Sequence, residues 1–527
     1  FGAQGPEPLF HKFASSAAHL AGRARVASET ATWRDEHFHV TLAQLKTTAD
    51  DLFVSGVNQI IWHGTAYSPP DAAWPGWLFY ASTQVNPYNP IWRDLPPLHA
   101  YIETVQQALL ASVPDNPVLL YWPIHDEWMA AEGRLLPTFT AHHTKDWLHG
   151  RPLGEYAAAL WDAGIAFDYV SDDLLAGLEM ADQHLTNGHA QWRAVVVPPC
   201  TYLPNETAER LARWAEAGVP VLWPEPLPAA VPGWQARDAQ PWPEVPAGAR
   251  IAGAAALTGA LRAADIRPEP LAAEGLRVLR RQGDAGPLLL LQHTSDEPLD
   301  AVARFEALPP AMTLVDALAG RRGSVDTRAG VRLQLAPGET RLLLPETAAA
   351  DWRYAVPQGD TQPVPGPWQV RFIDGGPTLP EPFTVPTPRA WTTQPTAEDF
   401  AGTARYSAAL TGLAFDTAHI RLDLGRVAHS ARVYLDETHV ATLIAPPYRV
   451  ILSTEQLDAA AWLHIEVTGT AANRIRGMDR RGEVWKIFEN INVVDIEYDP
   501  FDASDWPVQP AGLLRPVTVQ PVRWSPS

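Results

Sequence analysis

Two short apolar runs near the start of the chain each break off into polar and aromatic residues. Residues 26–33 (VASETATW) turn at Glu29, Thr30, Thr32 and Trp33; residues 57–77 (VNQIIWHGTAYSPPDAAWPGW) turn at Trp62, His63, Thr65 and Tyr67. Each reads as a buried strand with chemistry at its end. Between them, residues 41–55 set leucines and a phenylalanine at helical spacing, behind an N-cap threonine and ahead of Gly56, which predicts a helix. Strand, helix, strand with polar strand ends is the pattern of an α/β barrel, whose sites lie at the C-terminal ends of parallel strands. A helix over 13–22 leads in, a loop rich in Pro, Trp, Tyr and Asn spans 64–93, and a helix over 94–111 closes the segment. A loop of that length is a candidate lid or binding loop.

The pattern then changes. PVLLYWPI, GIAFDYVSDDLL, RAVVVPP and GVPVLWPE are continuous apolar runs separated by helical stretches such as 205–217. That alternation predicts a parallel, doubly wound sheet buried on both faces. Further on the runs shorten and alternate: LRVLRRQ, PLLLLQHTS, TLVDAL, VRLQLA and TRLLLP, then RYSAAL, HIRLDLG, SARVYLD, THVATLI, YRVIL and LHIEVTG. These predict strands of two β-sandwich units. The expected fold class is therefore a multidomain α/β plus all-β chain. Residues 1–113 read as the C-terminal part of a (β/α)8 barrel, 114–270 as a flavodoxin-like or amidotransferase-like α/β domain, and 271–350 as a small β-sandwich. Residues 351–379 read as a linker and 380–527 as a jelly-roll-like sandwich.

Composition narrows the functions open to such a chain. A length of 527 residues exceeds what one core supports. The net charge of -20, without a basic block, argues against nucleic acid, which needs clustered Lys and Arg. A single cysteine, Cys200, excludes an intramolecular disulfide, and no Cys/His spacing suits structural zinc. No run suits a membrane span, and no glycine-rich phosphate fingerprint follows a strand, so no organic cofactor is expected. The chain opens on FGAQGPEPLF without an initiator Met, so either an export signal was removed or the chain is a piece of something larger. Two barrel-like strands alone favour a C-terminal portion with an upstream segment of the same protein, and the expected location is periplasmic or secreted. Trp (21 residues) is abundant, and indoles both stack on sugar rings and pack cores.

Glu29 is the candidate for acid–base chemistry: a carboxylate at a strand end, flanked by Ser28, Thr30 and Trp33. The competing assignment is a salt-bridged barrel carboxylate. His63 ends the next strand and would face the same crater and bind sugar, or serve as a hydrogen-bonded structural histidine. Trp33, Trp62, Tyr67 and Trp74, with Trp77, could wall a sugar subsite or simply fill core. Glycoside hydrolysis needs a second carboxyl group, about 5–5.5 Å away for retention and about 6.5–9.5 Å for inversion. Asp126 and Glu127 are weaker candidates, so the partner is expected upstream. Residues 484–506 (VWKIFENINVVDIEYDPFDASDW) gather Glu489, Asn490, Asn492, Asp495, Asp499, Asp502 and Asp505. Such a stretch could hold Ca²⁺, form an acidic surface loop, or pack back against the barrel.

These motifs carry a resemblance. KFASSAAHLAGRARVASETATW, GVNQIIWHGTAYSP, PWPGWLFYAS and PDNPVLLYWPIHDEW, followed by LDLGRVAHSARVYLD, APPYRV, WKIFENINVVDIEYDPFDASDW and AGLLRPV, resemble the α-L-rhamnosidases of glycoside hydrolase family 106. The likeness covers what would be the C-terminal half of such an enzyme. It implies an incomplete barrel followed by accessory α/β and sandwich domains, and inverting hydrolysis of terminal α-L-rhamnosyl residues of plant or microbial glycans. Within the family's motif the glutamate looks like the general base, here Glu29, and Ala31 stands where an aromatic is frequent. The general acid looks like a glutamate on an earlier strand, with no counterpart here. The resemblance also suggests a Ca²⁺ requirement without ligands to assign. A non-catalytic carbohydrate-binding or scaffold fragment, and a glycosidase acting on another sugar, are the rival readings.

Overall fold

The computed structural model describes residues 7–129, 148–233, 247–413, 415–487 and 491–526. Parts of the range read as the α/β domain, 130–147 and 234–246, lie outside the described residues, as do Glu489 and Asn490. The first segment runs helix α1 (Pro8–Leu20), strand β1 (Ala27–Thr30), helix α2 (Leu42–Val54), strand β2 (Gln59–Trp62) and helix α3 (Pro96–Leu110). Helix α2 starts where the polar pattern said it should. Thr41 accepts the Gln44 N–H at 3.2 Å while the Gln44 side chain accepts the Thr41 N–H at 2.8 Å, a capping box. It ends before Gly56, whose φ of +95° suits glycine, and a Cβ there would meet the Ser15 Cβ at 2.8 Å.

Strands β1 and β2 are parallel and form a sheet of their own; no closed barrel is present among the described residues. Asn58 sets their register. Its buried amide accepts the Val26 N–H at 2.8 Å and donates to the Ala24 carbonyl at 2.8 Å, tying the start of β2 to the start of β1. Glu29 then lies beside Ile61, and Thr30 beside Trp62.

Five parallel strands follow, with Val118–Tyr121 between Phe167–Val170 on one side and Ala194–Val196 on the other, then Val221–Pro224 and Ala249–Ile251. In chain order that is 2-1-3-4-5, the order of flavodoxin-like sheets. Cores cover both faces: Leu211 and Trp214 pack on one, Tyr156, Leu160 and Leu257 on the other. The small antiparallel strands Glu179–Ala181, His184–Thr186 and Gln191–Trp192 went unread in the sequence, being too short to show a period.

The next sheet has six strands, in the order Arg321–Asp326, Ala311–Asp316, Thr340–Leu344, Gly286–His293, Leu276–Gly283 and Ser112–Pro114. It explains the run of four leucines at 288–291. Leu289 and Leu291 face a core shared with Leu299–Ala303 and Val331–Leu335, whereas Leu288 and Leu290 face α2 and α3, against Leu45, Phe53 and Val105. Both faces are buried, so alternation is lost. Ser112–Pro114 pairs with this sheet, so the chain is not cleanly divided near 113.

The last unit pairs a sheet of Arg353–Pro357, Thr518–Pro526, His419–Asp423 and Arg449–Ser453 with a six-stranded sheet from Phe383–Val385 to Thr438–Leu443. Ile420, Leu422 and Val519 of the first share one core with Val370, Ala404, Val433 and Ile465 of the second. Residues 351–379, read as a linker, are corrected here: they contain Arg353–Pro357 and the nine-residue strand Trp368–Gly376. Trp368, Val370 and Phe372 alternate inward there, a period hidden in the sequence by the prolines and glycines on either side. The architecture is mixed α/β with several β-sheets. Among the described residues no helix is long and apolar enough to cross a membrane.

Candidate functional site

Glu29 and His63 come together at the ends of β1 and β2. The His63 N–H donates to the Thr30 carbonyl at 2.8 Å, extending the parallel ladder one residue past β2. That bond carries the imidazole to the Glu29 side. His63 Nδ1 makes a hydrogen bond with Glu29 Oε1, and His63 Nε2 lies 3.1 Å from the Tyr80 carbonyl. The two partners differ sharply in exposure: the His63 side chain is 9% exposed and that of Glu29 64%. Glu29 Oε2 makes no hydrogen bond among the described residues, so the carboxylate is anchored through one oxygen and open to water at the other. Ile61, next to Glu29 in the register, is 50% exposed, so this face of the two-stranded sheet is open.

The backbone around the pair holds unusual conformations. Ala31, Trp33, Phe38, Ala81 and Gln84 all have φ between 45° and 69°, a region that L-residues visit only where surrounding contacts over-determine them. Those contacts are visible. The Trp33 N–H donates to the Ala81 carbonyl at 2.8 Å, and the Gln84 side chain donates to the Phe79 carbonyl at 2.8 Å.

The aromatic candidates divide. Trp33 is buried directly after β1, edge-on to His37 at 5.1 Å and to Tyr498 at 5.9 Å. Trp62 pairs with Thr30, one position out of phase with Glu29, and its indole N–H donates to His99 Nε2 of α3 at 3.1 Å. The sheet thus puts it on the face opposite Glu29. Trp74 donates to the Tyr88 carbonyl at 2.8 Å and lies under the Arg474 guanidinium, 3.8 Å from its ring centre. Tyr67 is 75% exposed on the long loop.

Sequence reading missed three contributors. Tyr80 acts through a backbone carbonyl, which leaves no trace in the pattern. The others are Glu36 and His37, which lie in the charged stretch RDEHFH (residues 34–39), whose composition alone suggests a solvated loop. Glu36 accepts the His37 N–H at 2.7 Å and the Ile496 N–H at 2.9 Å, and burial raises its pKa. His37 is fully buried: Gln84 Nε2 donates to its Nδ1 at 3.1 Å, and its Nε2 donates to the Val494 carbonyl at 3.1 Å. Burial pushes its pKa down to about 4, so it is a neutral imidazole. Asn492 Oδ1 accepts the Tyr80 N–H at 3.2 Å. The aromatic and acidic stretch near the C-terminus therefore packs back on the segment that follows Glu29.

Two of its described acidic residues hold backbone turns. Asp495 accepts the backbone N–H groups of Glu497 and Asp499, each at 2.9 Å, and Asp502 accepts that of Ser504 at 2.8 Å. Among the described residues no group of three or more His, Cys, Asp or Glu is arranged to hold a metal ion. Asp126 and Glu127 are committed elsewhere. Asp126 accepts the N–H groups of Thr201 and Tyr202 at 2.7 and 2.8 Å, and Glu127 pairs with Arg151.

Comparison with known proteins bears on this segment first. Residues 10–110 match the model of the glycoside hydrolase 106 family, described as alpha-L-rhamnosidase. The family resemblance read from the motifs is thereby found independently over the segment that carries Glu29 and His63. A solved rhamnosidase structure from Novosphingobium sp. PP1Y aligns at 22% identity with a TM-score of 0.71, covering 98% of this chain and 49% of that one. The chain thus has that protein's fold over about half its length. A β-galactosidase from Bacillus circulans sp. alkalophilus aligns at 10% identity and TM-score 0.41 over 65% of this chain and 59% of its own, too slight to bear on function. No curated protein matches the chain by sequence.

Proposed function

We propose that this chain is part of a glycoside hydrolase that removes terminal α-L-rhamnosyl residues with inversion, Glu29 serving as general base. The observation that carries the proposal is a conjunction: a segment matching the rhamnosidase family holds, at a strand end, a solvent-open carboxylate anchored through one oxygen. In this reading β1 and β2 are two strands of a (β/α)8 barrel, and the later β units are accessory sandwiches. Glu29 Oε2 takes a proton from water as the water oxygen bonds to the anomeric carbon. The glycosidic C–O bond breaks on the opposite face, and a general acid protonates the leaving oxygen. The proposal assigns that acid to chain outside the described residues, since Asp126 and Glu127 are engaged. The matched rhamnosidase, of which this chain spans 49%, is long enough to supply it.

The test is Glu29→Gln in the full-length enzyme, assayed on an aryl α-L-rhamnoside. Loss of a general base lowers kcat by about 10²–10⁴-fold; turnover close to that of the parent enzyme would sink the assignment. Proton NMR of the first-formed sugar tests inversion: β-L-rhamnose must appear before its anomer.

A second reading has one observation behind it. Among the described residues β1 and β2 stand alone as a two-stranded sheet, so this chain by itself could bind sugar without turning it over. Calorimetry with rhamnose beside the hydrolysis assay separates the two.

A further inference from the structure

We propose that His63 is a positioning residue that shares one proton with Glu29, so that the pair enters the reaction as imidazolium and carboxylate. The inference rests on the reading of Glu29 as base, and it concerns where protons sit rather than which group reacts.

His63 Nε2 faces the Tyr80 carbonyl at 3.1 Å, and a carbonyl oxygen can only accept, so Nε2 carries a hydrogen. A neutral imidazole protonated there has a bare lone pair at Nδ1. Nδ1 is in hydrogen-bond contact with Glu29 Oε1, which as a carboxylate is also an acceptor. Two lone pairs cannot meet at that separation, so a second proton lies between them. Of the two side-chain types, a carboxylic acid is the stronger acid by about two units, which assigns that proton to Nδ1.

His37 shows the contrast within the same site. Gln84 gives it an amide N–H at Nδ1 beside the Val494 and Ser82 backbone acceptors, so a neutral ring has a donor to accept from and an acceptor to donate to. His63 sits between two acceptors, and a neutral ring cannot satisfy both.

The acceptor on the Nε2 side cannot turn away. The Tyr80 N–H is held by Asn492, the Phe79 carbonyl by Gln84, and the Ala81 carbonyl by the Trp33 N–H. From β1 the group facing the imidazole is Glu29. From the long loop they are the Phe79 ring at 5.3 Å and the Tyr80 ring at 5.7 Å. Among these described contacts Glu29 is the charged one. The imidazolium therefore holds the Glu29 carboxylate by Oε1 and leaves Oε2 toward solvent.

The experiment compares His63→Ala and His63→Asn with Glu29→Gln in the full-length enzyme, following kcat/KM against pH. In both His63 variants kcat is expected to fall with KM little changed, and the acid limb of the profile to move to higher pH. Asn places an amide N–H near the Nδ1 position, so His63→Asn recovers part of kcat while its acid limb stays displaced. Nitrogen NMR of histidine-labelled enzyme gives a readout free of activity: the signal lost in His63→Asn must be that of a doubly protonated ring. An undisplaced acid limb, or a singly protonated signal, overturns the inference while the base reading stands. Full activity in Glu29→Gln overturns the base reading itself.

Discussion

The Glu36 carboxylate accepts the backbone N–H of Ile496 at 2.9 Å, joining the loop directly after β1 to a residue near the other end of the chain. Its second oxygen accepts the His37 N–H at 2.7 Å, so one side chain satisfies two donors. Glu36→Ala leaves both without a partner, at a cost of about 1–3 kcal/mol each where they are buried. Hydrogen exchange at the Ile496 amide is expected to accelerate by about tenfold or more, since about 1.4 kcal/mol corresponds to a factor of ten. Unchanged exchange there would show that the C-terminal stretch docks by other contacts.

Asp51, on α2, gives a stability change with a definite sign. It is buried against the six-stranded sheet and accepts from Gln292 Nε2 at 2.8 Å, and burial raises its pKa to about 6. An unfolded aspartate titrates near 3.9. The folded state therefore holds this proton more tightly than the unfolded one. The group costs nothing below about pH 4, and its ionisation costs stability as pH rises through about 6, by roughly 3 kcal/mol at most. Asp51→Asn keeps the acceptor for Gln292 and removes the charge. The variant should match the parent in urea melts at pH 4 and exceed it at pH 7.5. A constant difference between the two pH values would refute the assignment.

The first segment is bolted to the last β unit by a fully buried carboxylate. Asp94 accepts from Arg432 Nε and from Ser430 Oγ, each at 2.6 Å, while the neighbouring Arg93 pairs with Glu466. Removing the carboxylate leaves the partly exposed guanidinium and the buried hydroxyl without their acceptor, at about 1–3 kcal/mol each. Asp94→Ala should lose that much in chemical denaturation, and Ser430→Ala only about 1 kcal/mol. Equal losses would mean that the ion pair is not what holds the interface.

What could be read from the sequence follows from where each signal lives. Helix α2 was legible because Thr41 and Gly56 announce its ends, and the parallel strands because burial on both faces makes their apolar runs continuous. The meeting of Glu29 and His63 at neighbouring strand ends followed from strand, helix, strand order alone. Which aromatics share their face did not, because that depends on a register set by Asn58, and a slip of one residue exchanges the two faces. Tyr80 contributes a carbonyl, and Glu36 finds its donor at Ile496; neither appears in local periodicity.

That register makes Tyr67 and Trp62 a matched pair for a final test. Tyr67 is 75% exposed on the loop beyond His63, so its truncation should leave stability within about 0.5 kcal/mol. If it stacks on substrate, that contact is worth about 0.5–1.5 kcal/mol, and Tyr67→Ala raises KM by about two- to tenfold. Trp62 is half-buried on the opposite face with its N–H on His99. Trp62→Phe gives up that hydrogen bond, about 0.5–1.5 kcal/mol of stability, and should leave KM alone. The reverse outcome, with KM following Trp62 and stability following Tyr67, would mean that sugar meets the other face of the β1–β2 sheet. The open carboxylate of Glu29 would then be on the wrong side to activate water.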